Sequence, residues 1–254
     1  MKRSILVLLI IFLAAPLSHS QLWKLRRWEL SAGAGPSFFF GDVGGFSQGD
    51  NAIGFRDLTY LQTRFDVNGN FKYRFTRTLS ARVSMTYAMF HATDTRGSNE
   101  GRILEATTNL FEPAIIGEYY FVKNYSESSY LFTRRKEAFI WHFLKSLDFY
   151  AFAGIGGAVY NVKGNEALIE LQEDPERDLK DSGITAVIPA GLGTSLIYSP
   201  NLNFGLELGG RYAFTDFLDG YTSQYSKSND VYYFLNLTIT YKLKTGRNGL
   251  PRFR

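Results

Sequence analysis

Few residues in this chain have the type and spacing that chemistry requires. Three histidines occur, at positions 19, 91 and 142. His91 stands near Asp94 and Ser98, the residue types of a hydrolytic triad. A triad is defined by geometry, however, and closeness in sequence does not build one. A polar residue at a membrane interface is the plainer reading of His91, and His142 reads as structural. No cysteine is present, which excludes thiol catalysis, disulfides and thiolate metal sites. The glycine cluster Gly154-Ile155-Gly156-Gly157 falls inside a strand pattern, so it lacks the strand-to-helix context of a phosphate loop. Glycines placed so in a barrel serve bends and close packing. Asp42 follows the first strand pattern, and Asp216, Asp219 and Asp230 surround the last long loop. Closure of a barrel would bring Asp42 to Asp216 and Asp219. Such a cluster suits a calcium ion, which favours carboxylates, but the spacing matches no ligand loop and loop capping by hydrogen bonds is favoured. The expectation is a protein without catalytic, cofactor-binding or metal-binding residues, and not an enzyme.

The elements that would position these residues are strands. Across residues 63–75, Phe65, Val67, Phe71, Tyr73 and Phe75 share one face, while Arg64, Asp66, Asn68, Asn70, Lys72 and Arg74 share the other. The next segment repeats the pattern, with Leu79, Ala81, Val83, Met85, Tyr87 and Met89 against Ser80, Arg82, Ser84 and Thr86. Only Thr76-Arg77-Thr78 separates the two, a tight hairpin. Further period-two segments cover residues 111–121, 202–215 and 231–242. Two glycine-rich ones at 148–161 and 185–198 and an opening one at 28–39 bring the count to eight. Alternation over about ten residues is the pattern of a transmembrane strand. Soluble sandwich strands run nearer five or six. The fold class is therefore all-β, an eight-stranded antiparallel transmembrane barrel, spanning residues 21–243.

Composition agrees. With 22 Phe, 16 Tyr and 24 Gly, the chain has the aromatic stock that lipid faces and membrane interfaces demand. Met1, Lys2 and Arg3 precede an apolar run from Ile5 to Ala15, with small residues at Ser18 and Ser20. That is a cleavable secretory signal over residues 1–20, leaving Gln21 as the new N-terminus, with His19 lost. The absence of cysteine there excludes a lipid anchor. Without the signal, 26 basic residues face 24 acidic ones, which is too mild an excess to argue for nucleic acid.

With the N-terminus in the periplasm, odd-numbered connections should be long and external, even-numbered ones short and internal. Residues 40–62, 92–105, 162–184 and 216–228 form the long set. Residues 76–78 and 199–201 are tight, but 122–147 is a long insert on the periplasmic side. Within it, residues 133–144 suit a short amphipathic helix in which Phe139, Ile140, Phe143 and Leu147 share a face. It would act as a plug, as an interfacial helix anchored by Trp141 and the basic cluster, or as a partner-docking element. Arg134, Arg135, Lys136, Phe139, Trp141 and Phe143 are the docking candidates. Arg82, Glu112, Glu118, Glu207 and Arg211, with Arg64, Asp66, Lys72 and Arg74, should point into a lumen that side chains fill, pairing across it and closing it to solutes. Outer-membrane lipid is the expected surrounding.

Trp28-Glu29-Leu30 leading to Phe39-Phe40-Gly41-Asp42-Val43-Gly44-Gly45 resembles the opening strand of a Bacteroidota outer-membrane β-barrel family that includes PorG of the type IX secretion system. Phe149-Tyr150-Ala151-Phe152-Ala153-Gly154-Ile155-Gly156 is similar to a second family segment. The stretch Gly205-Leu206-Glu207-Leu208-Gly209-Gly210-Arg211-Tyr212-Ala213-Phe214-Thr215-Asp216-Phe217-Leu218-Asp219 resembles its most specific motif. The resemblance implies an outer-membrane barrel of a Gram-negative bacterium that associates with periplasmic secretion ring proteins, and no enzymatic residues. The alternative is a structural or surface-binding barrel whose outer loops contact ligands. The chain departs from the barrel pattern in continuing as a tail, 244–254, so that Tyr241 must serve as the terminal aromatic.

Overall fold

The computed structural model describes residues 24–44, 60–94, 100–124, 130, 143–144, 146–173, 179–222, 229–246 and 248–252. The strands are β1 (Trp28–Phe40), β2 (Arg64–Arg74), β3 (Leu79–Thr93), β4 (Glu105–Val122), β5 (Leu147–Gly164), β6 (Ser182–Ile197), β7 (Leu202–Ala213) and β8 (Val231–Thr245). Each pairs antiparallel with the next, and β1 also pairs with β8, which closes the sheet. At that seam Leu30 lies opposite Tyr241 and Phe40 opposite Val231. Closure gives every strand two partners, the condition for exposing backbone to lipid without unsatisfied polar groups.

The alternation sets the inside and the outside. Phe65, Met85, Ile115, Leu192 and Leu237 are exposed on the outer wall, whereas Asp66, Lys72, Arg82, Glu112 and Asn236 are buried inside. This inversion of a soluble protein is stable only where hydrocarbon replaces water around the wall. Two aromatic girdles bound the wall. At the end with the tight turns, here the inner end, Trp28 stacks on Phe71 at 5.0 Å and Tyr73 meets Phe75 at 5.1 Å. At the outer end Phe40 meets Tyr233 at 5.8 Å and Tyr212 meets Phe214 at 5.4 Å. Amphipathic rings at both interfaces are the usual anchors of such a wall.

Several strands run further outward than the alternation predicts. β4 begins at Glu105, β5 continues to Gly164 and β6 begins at Ser182. The third outer connection is shortened accordingly and carries an unexpected helix, α1 (Glu166–Gln172). Asn165 caps it by accepting a hydrogen bond from the Leu168 N–H at 3.1 Å, and Leu168 is buried. The cap followed by Glu166-Ala167-Leu168 is a legible helix start. At the other end the tail turns through Gly249 (φ +78°) into β9 (Pro251–Arg252), which pairs with the end of β8. The Trp28 indole donates to the Gly249 carbonyl at 2.8 Å, tying the tail to the start of β1.

Candidate functional site

Three layers fill the barrel from the inner to the outer end, and all are positioned by the inward-facing register of the strands. The first is ionic. Lys72 of β2 meets Glu118 of β4 at 2.8 Å and Glu29 of β1 at 3.8 Å, and Arg74 meets Glu29 at 3.6 Å. Arg82 of β3 reaches across the lumen to grip Glu207 of β7 with two bonds, at 2.6 and 2.8 Å, and lies 3.1 Å from Glu118. The Tyr150 and Tyr120 hydroxyls donate to Glu207 and Glu118. Lys123 pairs with Asp148, whose other oxygen accepts from the Asn124 N–H at 2.7 Å. Paired, bidentate and hydrogen-bonded geometry is what allows charges to persist away from water.

Above this, Arg211 of β7 faces Glu112 of β4 at 3.5 Å, and the Tyr232 hydroxyl donates to Glu112 at 2.6 Å. The Arg211 guanidinium also lies 4.3 Å from the centre of the Phe234 ring. Of the charges expected to pair in the lumen, two depart: Asp66 is buried inside but forms no ion pair among the described residues, and Arg64 turns away. Arg64 bonds to the carbonyls of Leu61 and Thr63 at the outer end of β2, in the turn before the strand.

The outer half of the lumen is apolar, a layer that the expected pairing of lumen charges did not include. Phe39 and Phe90 stack at 5.4 Å, Phe90 lies 5.0 Å from Tyr232 and 6.1 Å from Phe234, and Leu110, Tyr160 and Leu218 pack around them. These inward positions are shielded from lipid by the wall and from water by the loops. The same hydrophobic burial that builds a soluble core therefore operates here. Tyr120, Tyr150, Tyr232 and Phe234 do not stand out in the sequence, because aromatic side chains also furnish the lipid face.

A polar cap closes the outer end. Asp94, after β3, accepts from the Gly44 N–H at 2.8 Å and from the Arg102 Nε at 3.0 Å. Arg102 also donates to the Asp42 carbonyl oxygen at 2.9 Å and lies over the Tyr221 ring. Gln62 donates to the Gly44 carbonyl at 3.2 Å, and Gln172 of α1 to that of Gly220 at 3.0 Å. Gly44 (φ +85°) and Gly220 (φ +73°) hold conformations that side chains rarely adopt. Asp219 accepts from the N–H groups of Val43 at 2.8 Å and Tyr221 at 3.0 Å, and Asp230 accepts from the Leu218 N–H at 2.8 Å. Asp216 accepts from the Thr222 hydroxyl. Burial pushes the Asp219 and Asp230 carboxyls well above the usual carboxylate range, and the neighbouring carboxylates, Asp42 and Asp216 among them, add to the rise. Among the described residues no three histidines or carboxylates come together closely enough to hold a metal ion.

His91 and Asp94 are not brought together. His91 lies 3.2 Å from the Thr107 hydroxyl and 3.4 Å from Glu105, both on β4, while Asp94 is committed to Gly44 and Arg102. Ser98, His142 and the docking candidates Arg134, Arg135, Lys136, Phe139 and Trp141 lie outside the described residues, as does most of the helix expected at 133–144. Phe143 is described. It is exposed and stands edge-on to Tyr130, whose N–H bonds to the Ile197 carbonyl at the inner end of β6.

No protein-family model matches the sequence, and the search of curated proteins found no relative. Among solved structures, Neisserial surface protein A is similar over 85% of this chain and 96% of its own, at 12% identity and a TM-score of 0.45. A major outer membrane protein from Thermus thermophilus is similar over 85% of this chain and 98% of its own, at 14% identity and a TM-score of 0.45. The outer membrane protein OprG from Pseudomonas aeruginosa is similar over 85% of this chain and 97% of its own, at 8% identity and a TM-score of 0.42.

Proposed function

We propose that this protein is a non-enzymatic outer-membrane barrel that works through its two ends, as a PorG-like component associated with type IX protein secretion. The observation that carries the first half is the filled lumen. The cross-lumen grip of Arg82 on Glu207 and the stack of Phe39, Phe90 and Tyr232 occupy the path a solute would take. A barrel so packed acts on partners at its rims. The secretion role rests on the motif resemblance around Gly205 to Asp219, and on the long inner connection, whose basic and aromatic residues suit docking to periplasmic ring proteins. The test is affinity capture of the tagged protein from detergent-solubilised outer membranes. The ring proteins should be recovered with it, and deleting residues 126–142 should release them while the barrel remains folded. Retention of the ring proteins by the deletion variant would overturn the assignment of docking to that connection. Capture of the barrel alone would overturn the secretion role itself.

One observation favours a second reading, a surface-binding barrel. The outer end is a built cap, and it presents Ile103, 70% exposed, at φ 51°. A β-branched residue at positive φ is strained, and such strain often marks a binding surface.

A further inference from the structure

Asp219 and Asp230 stand on opposite sides of the last outer loop, and both are about 1% exposed. Their surroundings differ. Asp219 spends both oxygens on backbone N–H groups, Val43 for Oδ2 and Tyr221 for Oδ1. Asp230 spends only Oδ2, on Leu218, and its Oδ1 is buried without a hydrogen-bond partner. The two carboxyls face a common point. A β-carbon added to Gly41 would lie 2.6 Å from Asp219 Oδ2 and 2.8 Å from Asp230 Oδ1. No ion pair to a lysine or arginine is formed by either among the described residues, since Arg102 is engaged by Asp94 and the Asp42 carbonyl. Two buried carboxylates facing one gap cannot both remain ionised without a neutralising charge, and a proton is the cheapest one.

We propose that Asp219 and Asp230 form a proton-binding pair, with the proton on Asp230 Oδ1, and that this proton holds the outer cap closed over the aromatic layer. The roles follow from the hydrogen bonds. An ionised carboxylate suits Asp219, which accepts two N–H groups, whereas a protonated Oδ1 turns the bare oxygen of Asp230 from an orphaned acceptor into a donor. The pair ties three segments together: Val43 after β1, Leu218 and Tyr221 in the last loop, and Asp230 at the start of β8. The other titratable and charged groups facing it are Asp42, Asp216, Asp94 with Arg102, Tyr221, and Tyr160 of β5, which Asp181 also faces. Of the carboxylates in that set, Asp42 and Asp216 reinforce proton uptake by the pair.

The sign of the pH dependence follows. The closed cap holds the proton more tightly than an open loop would. Its stability is therefore greatest below the ordinary carboxylate range and is lost as the pH rises through the raised folded value. One proton can change the closed-to-open ratio by at most about tenfold per pH unit.

Amide hydrogen exchange on the folded barrel in lipid nanodiscs, from pH 5 to pH 9 and corrected for intrinsic rates, tests this. Protection of Val43, Leu218 and Tyr221 should fall with rising pH while strand amides of β4 and β5 keep theirs. Asp230→Asn, which keeps an acceptor for Leu218 and supplies a permanent donor, should retain the protection and flatten its pH dependence. Asp219→Asn, which presents an amide to an N–H group, should lose protection at every pH. Equal effects of the two substitutions, a pH-independent wild-type cap, or loosening of the wild-type cap by EDTA would each overturn the proposal, the last by showing that a metal ion occupies the gap.

Discussion

Arg82 shows what a single side chain contributes when it crosses a lumen. Its guanidinium is held by Glu207 from the far wall and by Glu118 from the neighbouring strand, and lies 5.1 Å from the centre of the Phe152 ring. Removing one partner strands a buried charge, a loss of about 3–5 kcal/mol in comparable pairs, whereas replacing both with apolar residues often costs little. Glu207→Gln should therefore lower the urea midpoint of unfolding, followed by tryptophan fluorescence, more than the double substitution Arg82→Met with Glu207→Leu. A larger loss from the double variant would mean that the pair is net stabilising. Glycines give a sharper contrast still. A β-carbon on Gly154 would come 2.3 Å from the Ile115 carbonyl oxygen, while one on Gly69 would meet nothing within 4 Å. Gly154→Ala should part β4 from β5 and reduce the folded band on unheated gels, and Gly69→Ala should leave it unchanged.

At the scale of elements, α1 and its cap are the part most easily detached. Asn165 bonds with Leu168 in the helix, donates to the Ile103 carbonyl at 2.7 Å and accepts from the Glu105 N–H at 3.3 Å. It thereby holds a strained residue and a helix end with one side chain. Asn165→Ala should cost the cap about 0.5–2 kcal/mol. The loss would be visible as faster amide exchange over residues 166–172 with unchanged exchange in β2 and β3; equal loosening throughout would show that cap and wall fold as one unit. The walls were legible in sequence, whereas of the cap only the meeting of Asp42 with Asp216 and Asp219 was expected, for a physical reason. Lipid and lumen impose opposite demands on successive residues, so the alternation around Phe65 and Lys72 is written locally. The partners of Asp94, Asp219 and Asp230 are set by loops that meet only after the barrel closes, and no spacing records them. Inward aromatics such as Phe90 and Phe234 stayed hidden because the same residue types serve the outer wall. The helix start at Asn165 is readable in itself, but it lies within a long polar connection whose composition reads first as loop.

Taken whole, the molecule is a closed eight-stranded wall whose interior is divided between ion pairs at the inner end and a soluble-type aromatic core at the outer end. Eight strands enclose a space that side chains can just fill, and here each level of that space is occupied by buried residues. On the proposed function such a barrel works at its rims, which is why the secretion reading and the surface-binding reading both concern partners. Sealing of the lumen is what separates a barrel that works at its rims from a conduit. Electrical recording of the purified protein reconstituted in planar bilayers measures this directly. The filled interior predicts a membrane that stays silent at the resolution of single channels, with steps appearing only after cross-lumen residues such as Arg82 and Phe90 are cut back to alanine. Regular ohmic steps from the unaltered protein would contradict the filled lumen and return transport to the range of its functions.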